Sequence, residues 1–144
     1  MEGPKKNQIL SSFCNDEKLI HQSKHLLLEL YRCDREKLND ESFLRCILNR
    51  AAKLANATVL NLISNKFEPQ GVTAIALLAE SHISIHTWPE SNYSAVDIFT
   101  CGQNMKPELA SQYLIESMMA KEHSLRVIER DPPASVSKQI RTVI

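Results

Sequence analysis

The order of strand-like and helical segments constrains the fold of this chain more than any other feature. One strand is followed by a helix, then by three or four strands, a second helix and a last strand. The predicted strands span residues 25–31, 57–63, 72–79, 82–88, 93–100 and 123–129. This order predicts an α+β fold, a two-layer sandwich in which a mostly antiparallel sheet carries both helices on one face.

The two helices are predicted from capping residues and from apolar residues at helical spacing. The first begins after Asp40, a suitable N-cap, and stops at Asn56. The second begins at Pro107, which suits a first helical turn, and runs to about Lys121. Its expected buried face consists of Leu109, Ala110, Tyr113, Leu114 and Met118.

The second face of the sheet is expected to need a cover of its own. The strands supply more apolar surface than two helices can hide, and this surface includes Leu26, Leu28, Ile75, Leu77, Ile83 and Ile85. A dimer that packs sheet on sheet would cover it. The sequence therefore predicts a four-layer α/β/β/α assembly.

Length and charge limit what the chain can bind. Its 144 residues suit one domain, which we place at residues 24–130 between a polar N-terminal extension, 1–23, and a C-terminal tail, 131–144. The 17 Lys and Arg residues balance 17 Asp and Glu residues, so nothing favours nucleic acid or an anionic membrane as the partner. No apolar run could cross a bilayer and no signal-peptide core is evident, which predicts a cytoplasmic protein.

The cysteines are expected to be free thiols. Cys14, Cys33, Cys46 and Cys101 are scattered without a CxxC pair. Neither a disulfide framework nor a structural zinc site is supported by such spacing.

A strip of polar residues marks the predicted strand 82–88. Alternation places His82, Ser84, His86 and Trp88 on one face of this strand. A solvent-facing strand would give the same pattern, but Trp88 and the apolar flanks favour a buried polar strip. Because polar groups with transferable protons are costly to bury, we expect the chemistry to lie here.

The motifs of this region resemble a known family. The string ESHISIHTWPE followed by YSAVDIFTCG, with HLLLELYRCDREKLND and FEPQGV upstream, is similar to the small prokaryotic S-adenosylmethionine decarboxylases that use a pyruvoyl group. The resemblance covers roughly residues 24–130. It implies self-cleavage between Glu80 and Ser81 into a β chain, 1–80, and an α chain, 81–144, with two such pairs forming a dimer.

The resemblance also implies residue roles. Ser81 would become the pyruvoyl group, which forms a Schiff base with S-adenosylmethionine and yields the aminopropyl donor for spermidine synthesis. His86 would accept a proton during processing, and Thr73, where family members have serine, would assist the acyl shift. Cys101 would donate the proton that completes decarboxylation. For the substrate, Phe67 would stack on the adenine and Glu90 would bind the ribose hydroxyls.

Three alternatives remain open at this point. The same scaffold could decarboxylate ornithine or arginine, whose amino acid head is identical, or the chain could be a processing-dead regulatory homologue. The third is zinc binding by His82, His86 and Cys101. It is disfavoured because two residues four apart on a strand lie roughly 13 Å from each other.

Overall fold

A computed structural model describes residues 23–130, which form a six-stranded sheet with helices packed on one face. The predicted extension and tail lie outside these residues, apart from Ser23. The strands are β1 (Ser23–Tyr31), β2 (Val59–Lys66), β3 (Val72–Leu78), β4 (Ser81–Trp88), β5 (Tyr93–Cys101) and β6 (Glu122–Arg130). Their order is β2-β3-β4-β5-β1-β6, and every neighbouring pair is antiparallel. The predicted α+β sandwich is confirmed.

The helices are α1 (Arg35–Leu38), α2 (Glu41–Leu54) and α3 (Pro107–Ser117), with a single 3₁₀ turn at Pro89–Ser91. The Asp40 carboxylate accepts a hydrogen bond from the Phe43 N–H and so caps α2, as predicted. Helix α1 was not predicted, because one helical turn is too short to show a periodic apolar pattern. None of these helices is long and apolar enough to span a membrane.

Two details of the α3 prediction were wrong. The helix ends at Ser117 rather than near Lys121, because Met119 adopts a left-handed φ of 53°, which ends the helix. Leu109 is 47% exposed rather than buried, whereas Ala110, Leu114 and Met118 are buried as expected. Leu109 lies in the first turn of α3, on the side that faces away from the sheet.

The core lies between the sheet and the helices. Helix α2 packs against β2, β3 and β4, and α3 packs against β1 and β5. Four of the six residues expected to need a second cover, Leu26, Leu28, Ile83 and Ile85, are fully buried beneath these helices. The prediction that these four residues need a second cover was therefore wrong, because two helices cover more of the sheet than we expected.

The opposite face of the sheet, called here the open face, carries the predicted polar strip. Antiparallel pairing places Thr73 beside His86, Ile75 beside Ser84, and Leu77 beside His82. Large apolar side chains on this face are two-fifths or more exposed, namely Tyr31, Ile63, Leu77, Trp88 and Ile128. The open face thus mixes apolar residues with a continuous line of polar groups.

Candidate active site

Ser81 lies at a strained position at the start of β4. Ala79 and Glu80 form the two-residue turn between β3 and β4, and Leu78 pairs with Ser81 across it. The φ angle of Ser81 is 125°, a value that residues with a Cβ rarely adopt. Such backbone conformations cost of the order of 1–3 kcal/mol and cluster at functional sites.

The carbonyl group of Glu80, next to Ser81, is polarised by a backbone hydrogen bond. The N–H of Cys101 donates to the Glu80 carbonyl oxygen at 2.9 Å. The Glu80 carboxylate is held separately, since its Oε2 accepts from the Thr58 N–H at 3.0 Å. A fixed N–H aimed at a carbonyl oxygen can stabilise the negative charge that develops when a nucleophile adds to the carbon.

The thiol of Cys101 lies beside the Ser81 hydroxyl. Its Sγ is 3.3 Å from Ser81 Oγ, and the hydroxyl of Ser23 donates to the same sulfur at 3.2 Å. The other described cysteines lie elsewhere. Cys46 is exposed, and burial raises the pKa of the Cys33 thiol to about 11, which suits an inert structural thiol. All three are free, as expected, and Cys14 lies outside the described residues.

Thr73 and His86 form a second pair, on the open face that Cys101 shares through its alternation along β5. Thr73 Oγ1 lies 2.9 Å from His86 Nδ1, as their cross-strand pairing allows. However, His86 is five residues along β4 from Ser81, which corresponds to about 17 Å at the usual rise of a strand. The structure therefore brings Ser81 together with Cys101 and Thr73 together with His86, but it separates the two pairs within one chain.

Phe67 and Glu90 line a cavity of about 330 Å³ at the His86 end of β4. Thr73, His86 and Trp88 line it as well. The loop between β2 and β3 is closed by a hydrogen bond from the Phe67 N–H to the Gly71 carbonyl, and Phe67 is 48% exposed. Phe67 and Glu90, the two residues predicted to bind the nucleoside, thus share one cavity with His86, the predicted proton acceptor.

The middle of the polar strip is joined to β5 and β1 rather than left to solvent. His25 Nε2 lies 2.8 Å from one carboxylate oxygen of Asp97, and the Ser84 hydroxyl donates to the other at 3.3 Å. The His82 ring meets Phe99 edge-on. Within residues 23–130, no three His, Cys, Asp or Glu side chains are grouped so that they could hold a metal ion.

Two residues of these sites, Trp88 and Ser23, had no predicted role. Trp88 was placed on the correct face of its strand but not in the cavity, and the alternation of β4 was the signal that could have indicated it. Ser23 gave no signal, because its contact with Cys101 depends on the pairing of β1 with β5, 78 residues away.

Comparison with known proteins gives concordant matches. The family model described as S-adenosylmethionine decarboxylase matches residues 24–131. A protein of Synechococcus sp. named S-adenosylmethionine decarboxylase proenzyme is 59% identical over 119 residues, which cover 83% of this chain and 93% of that protein. A protein of the same name from Thermodesulfovibrio yellowstonii is 46% identical over 106 residues, 74% of this chain and 78% of its own. The crystal structure of the adenosylmethionine decarboxylase from Aquifex aeolicus is similar with a TM-score of 0.73 and 36% identity, covering 85% of this chain and 98% of that one.

Proposed function

The chain belongs to the S-adenosylmethionine decarboxylase family, and on that premise we propose that it decarboxylates S-adenosylmethionine through a pyruvoyl group made from its own Ser81. The product is the aminopropyl donor for spermidine synthesis. The observation that carries the proposal is the strained Ser81 beside a polarised Glu80 carbonyl and the Cys101 thiol. The names of the relatives favour S-adenosylmethionine over ornithine or arginine, and the presence of Ser81, His86 and Cys101 argues against a processing-dead homologue.

Self-cleavage begins at the turn between β3 and β4. Ser81 Oγ attacks the Glu80 carbonyl carbon, the C–N bond breaks, and the peptide becomes an ester while the Cys101 N–H stabilises the oxyanion. A base then removes the α-proton of residue 81, and the Cβ–Oγ bond breaks. The former serine oxygen leaves as part of the new Glu80 carboxylate, and dehydroalanine remains at residue 81. Its imine tautomer then adds water and loses ammonia, which gives the ketone. The strain at Ser81 raises the energy of the uncut chain and so favours the first step.

A pyruvoyl group at residue 81 would lie beside the Cys101 thiol, which can donate a proton. When formed, this group supplies the electron sink that decarboxylation of an amino acid needs. Cys101, half-buried and 3.3 Å from Ser81 Oγ, is the residue proposed to deliver the proton that replaces the lost carboxylate.

The base for processing is proposed to come from a second copy of the chain. No side-chain rotation closes a gap of about 17 Å between Ser81 and His86 on one strand. A dimer that packs open face on open face would supply the missing base from the second copy. If its two-fold axis passed over β4 between Ile83 and Ser84, His86 of the second copy would lie opposite the Ser81 end of the strand. The exposed apolar residues of the open face support such a contact.

The same arrangement divides the substrate between two copies. The cavity with Phe67 and Glu90 lies at the His86 end of β4. Adenosine bound there, with its ring on Phe67 and its ribose hydroxyls on Glu90, would extend its amino acid end toward Ser81 of the other copy. A positively charged sulfonium is also favoured beside aromatic rings such as Phe67.

The experiment that tests the function combines mass spectrometry with an assay for carbon dioxide. Purified protein should consist of fragments 1–80 and 81–144, should release carbon dioxide from S-adenosylmethionine and should release none from ornithine or arginine. Ser81→Ala should remain one inactive chain. Phe67→Ala should weaken substrate binding by about 1–3 kcal/mol, the scale of one base stacked on an aromatic ring.

Leu60→Ala is the control for Phe67→Ala, since Leu60 is an exposed apolar residue of β2 outside the cavity. It should leave binding unchanged. A wild-type chain that stays whole and yet decarboxylates S-adenosylmethionine would refute the pyruvoyl chemistry. Comparable release of carbon dioxide from ornithine would instead favour the alternative substrate.

A further inference from the structure

Two hydroxyl groups lie within hydrogen-bonding distance of the Cys101 sulfur, and the second of them, that of Ser23, has no part in the chemistry described so far. Ser23 Oγ donates to Sγ at 3.2 Å, and Ser81 Oγ lies 3.3 Å from the same atom. Ser23 is the first residue of β1, where it pairs with Cys101 of β5 on one side and Arg130 of β6 on the other. Its backbone is therefore fixed from both sides.

The Ser23 hydrogen bond determines where the thiol proton points. A thiol has one proton, and a hydroxyl that donates to the sulfur occupies a lone pair. With Ser23 as the donor on one side, the S–H bond of Cys101 is free to point to the other side, toward residue 81. We propose that Ser23 is a positioning residue that aims the Cys101 proton at residue 81 and stabilises the thiolate left after that proton is given up. This proposal rests on the proposed role of Cys101 as the proton donor.

The role of Ser23 becomes larger once the chain is cut. The Ser81 oxygen leaves with the Glu80 carboxylate during processing. Of the two hydroxyls that contact the Cys101 sulfur, the processed protein therefore keeps that of Ser23. When Cys101 gives its proton away, the S–H bond breaks and the electron pair stays on sulfur. Hydrogen bonds to a charged acceptor are roughly twice as strong as those between neutral groups. The Ser23 hydrogen bond therefore strengthens as the proton leaves. It stabilises the thiolate that forms at that step and so favours the proton transfer.

The test uses a matched pair of variants, Ser23→Thr and Ser23→Val. Their side chains have the same shape and both suit a strand, but threonine keeps the hydroxyl and valine lacks it. The first readout is the rate at which iodoacetamide alkylates Cys101 in the full processed protein as a function of pH, followed by peptide mass mapping. Because the thiolate is the reactive form, the midpoint should move to higher pH by about 1 unit in Ser23→Val and stay near wild type in Ser23→Thr.

The second readout is the first residue of the α chain after a fixed number of turnovers. Protonation at the wrong carbon transfers the substrate's amine to the chain and leaves alanine there. Ser23→Val should raise the alanine fraction about threefold or more relative to Ser23→Thr.

Equal alkylation midpoints and equal alanine fractions in the two variants would overturn the proposal for Ser23. Failure of the proposed function gives a different result, because wild-type protein would then release no carbon dioxide from S-adenosylmethionine. The alkylation profiles do not depend on turnover and can also be recorded on an uncut chain, so they report on Ser23 in either case.

Discussion

The separation of Ser81 from His86 predicts that self-processing needs two copies of the chain. The five steps along β4 from Ser81 to His86 span about 17 Å, whereas a general base must come within about 3 Å of the proton it removes. Ser81→Ala lacks the serine and His86→Ala lacks the base. Each variant alone should therefore fail to form a pyruvoyl group, although each keeps one intact half of the site.

Mixed dimers of these variants should recover part of the processing. In a dimer with one chain of each kind, Ser81 of the His86→Ala chain faces the intact His86 of the Ser81→Ala chain. With random pairing of equal amounts, about half of the His86→Ala chains enter such dimers and should mature. Mass spectrometry of the α chain's first residue measures this fraction, because it distinguishes a pyruvoyl group from a serine released by hydrolysis of the ester.

A double variant provides the control for this mixture. Ser81→Ala combined with His86→Ala supplies the same partner surface without the imidazole, so its mixture with His86→Ala should stay unprocessed. Native mass spectrometry of the mixture establishes that the subunits have exchanged. If mixed dimers form and stay uncut, or if His86→Ala matures alone at the wild-type rate, the placement of the base across the dimer is wrong.

Two further predictions concern Ser81 and Cys101. Because φ is 125° at residue 81, glycine suits this position better than alanine. The free energy of unfolding in urea should be about 1 kcal/mol higher for Ser81→Gly than for Ser81→Ala, a net value that includes the larger entropy of glycine in the unfolded chain. The control Ala79→Gly, at an exposed position of the neighbouring turn, should lower the free energy of unfolding. A Ser81→Gly chain that is no more stable than Ser81→Ala would contradict the inferred strain at residue 81. Cys101→Ser should turn over slowly and lose activity as alanine accumulates at the α chain's first residue, because a hydroxyl is a much weaker acid than a thiol. Cys46→Ser should behave as wild type, and normal turnover of Cys101→Ser with an intact terminus would assign the proton to another group, His82 being the next candidate.

Local patterns were sufficient to predict most of the secondary structure. The apolar residues of α2 recur at helical spacing behind the Asp40 cap, and the alternation of β4 places its polar residues on one face. Both patterns depend on neighbours within a few residues, so the sequence contains the whole signal. The end of α3 depends on the left-handed Met119, for which the sequence offers no glycine or asparagine as a marker.

The arrangement of the site was predictable only in part. The proximity of Cys101 to Ser81 followed from the family resemblance, because nothing in a spacing of 20 residues requires it. The separation of Ser81 from His86, by contrast, follows from the strand prediction alone. The same rise per residue that disfavours zinc at His82 and His86 places Ser81 and its proposed base, His86, even farther apart.

The topology explains why cutting the chain at Ser81 need not dissociate it. The proposed β chain contains β1, β2 and β3, whereas the proposed α chain contains β4, β5 and β6. In the sheet, β3 pairs with β4, and β1 lies between β5 and β6, so three strand pairings join the two chains. The proposed cleavage would remove one peptide bond at a strained turn and would leave these pairings and the common core in place. It would also keep Ser23 of the proposed β chain next to Cys101 of the proposed α chain, so that a residue on one product would position the proposed proton donor on the other.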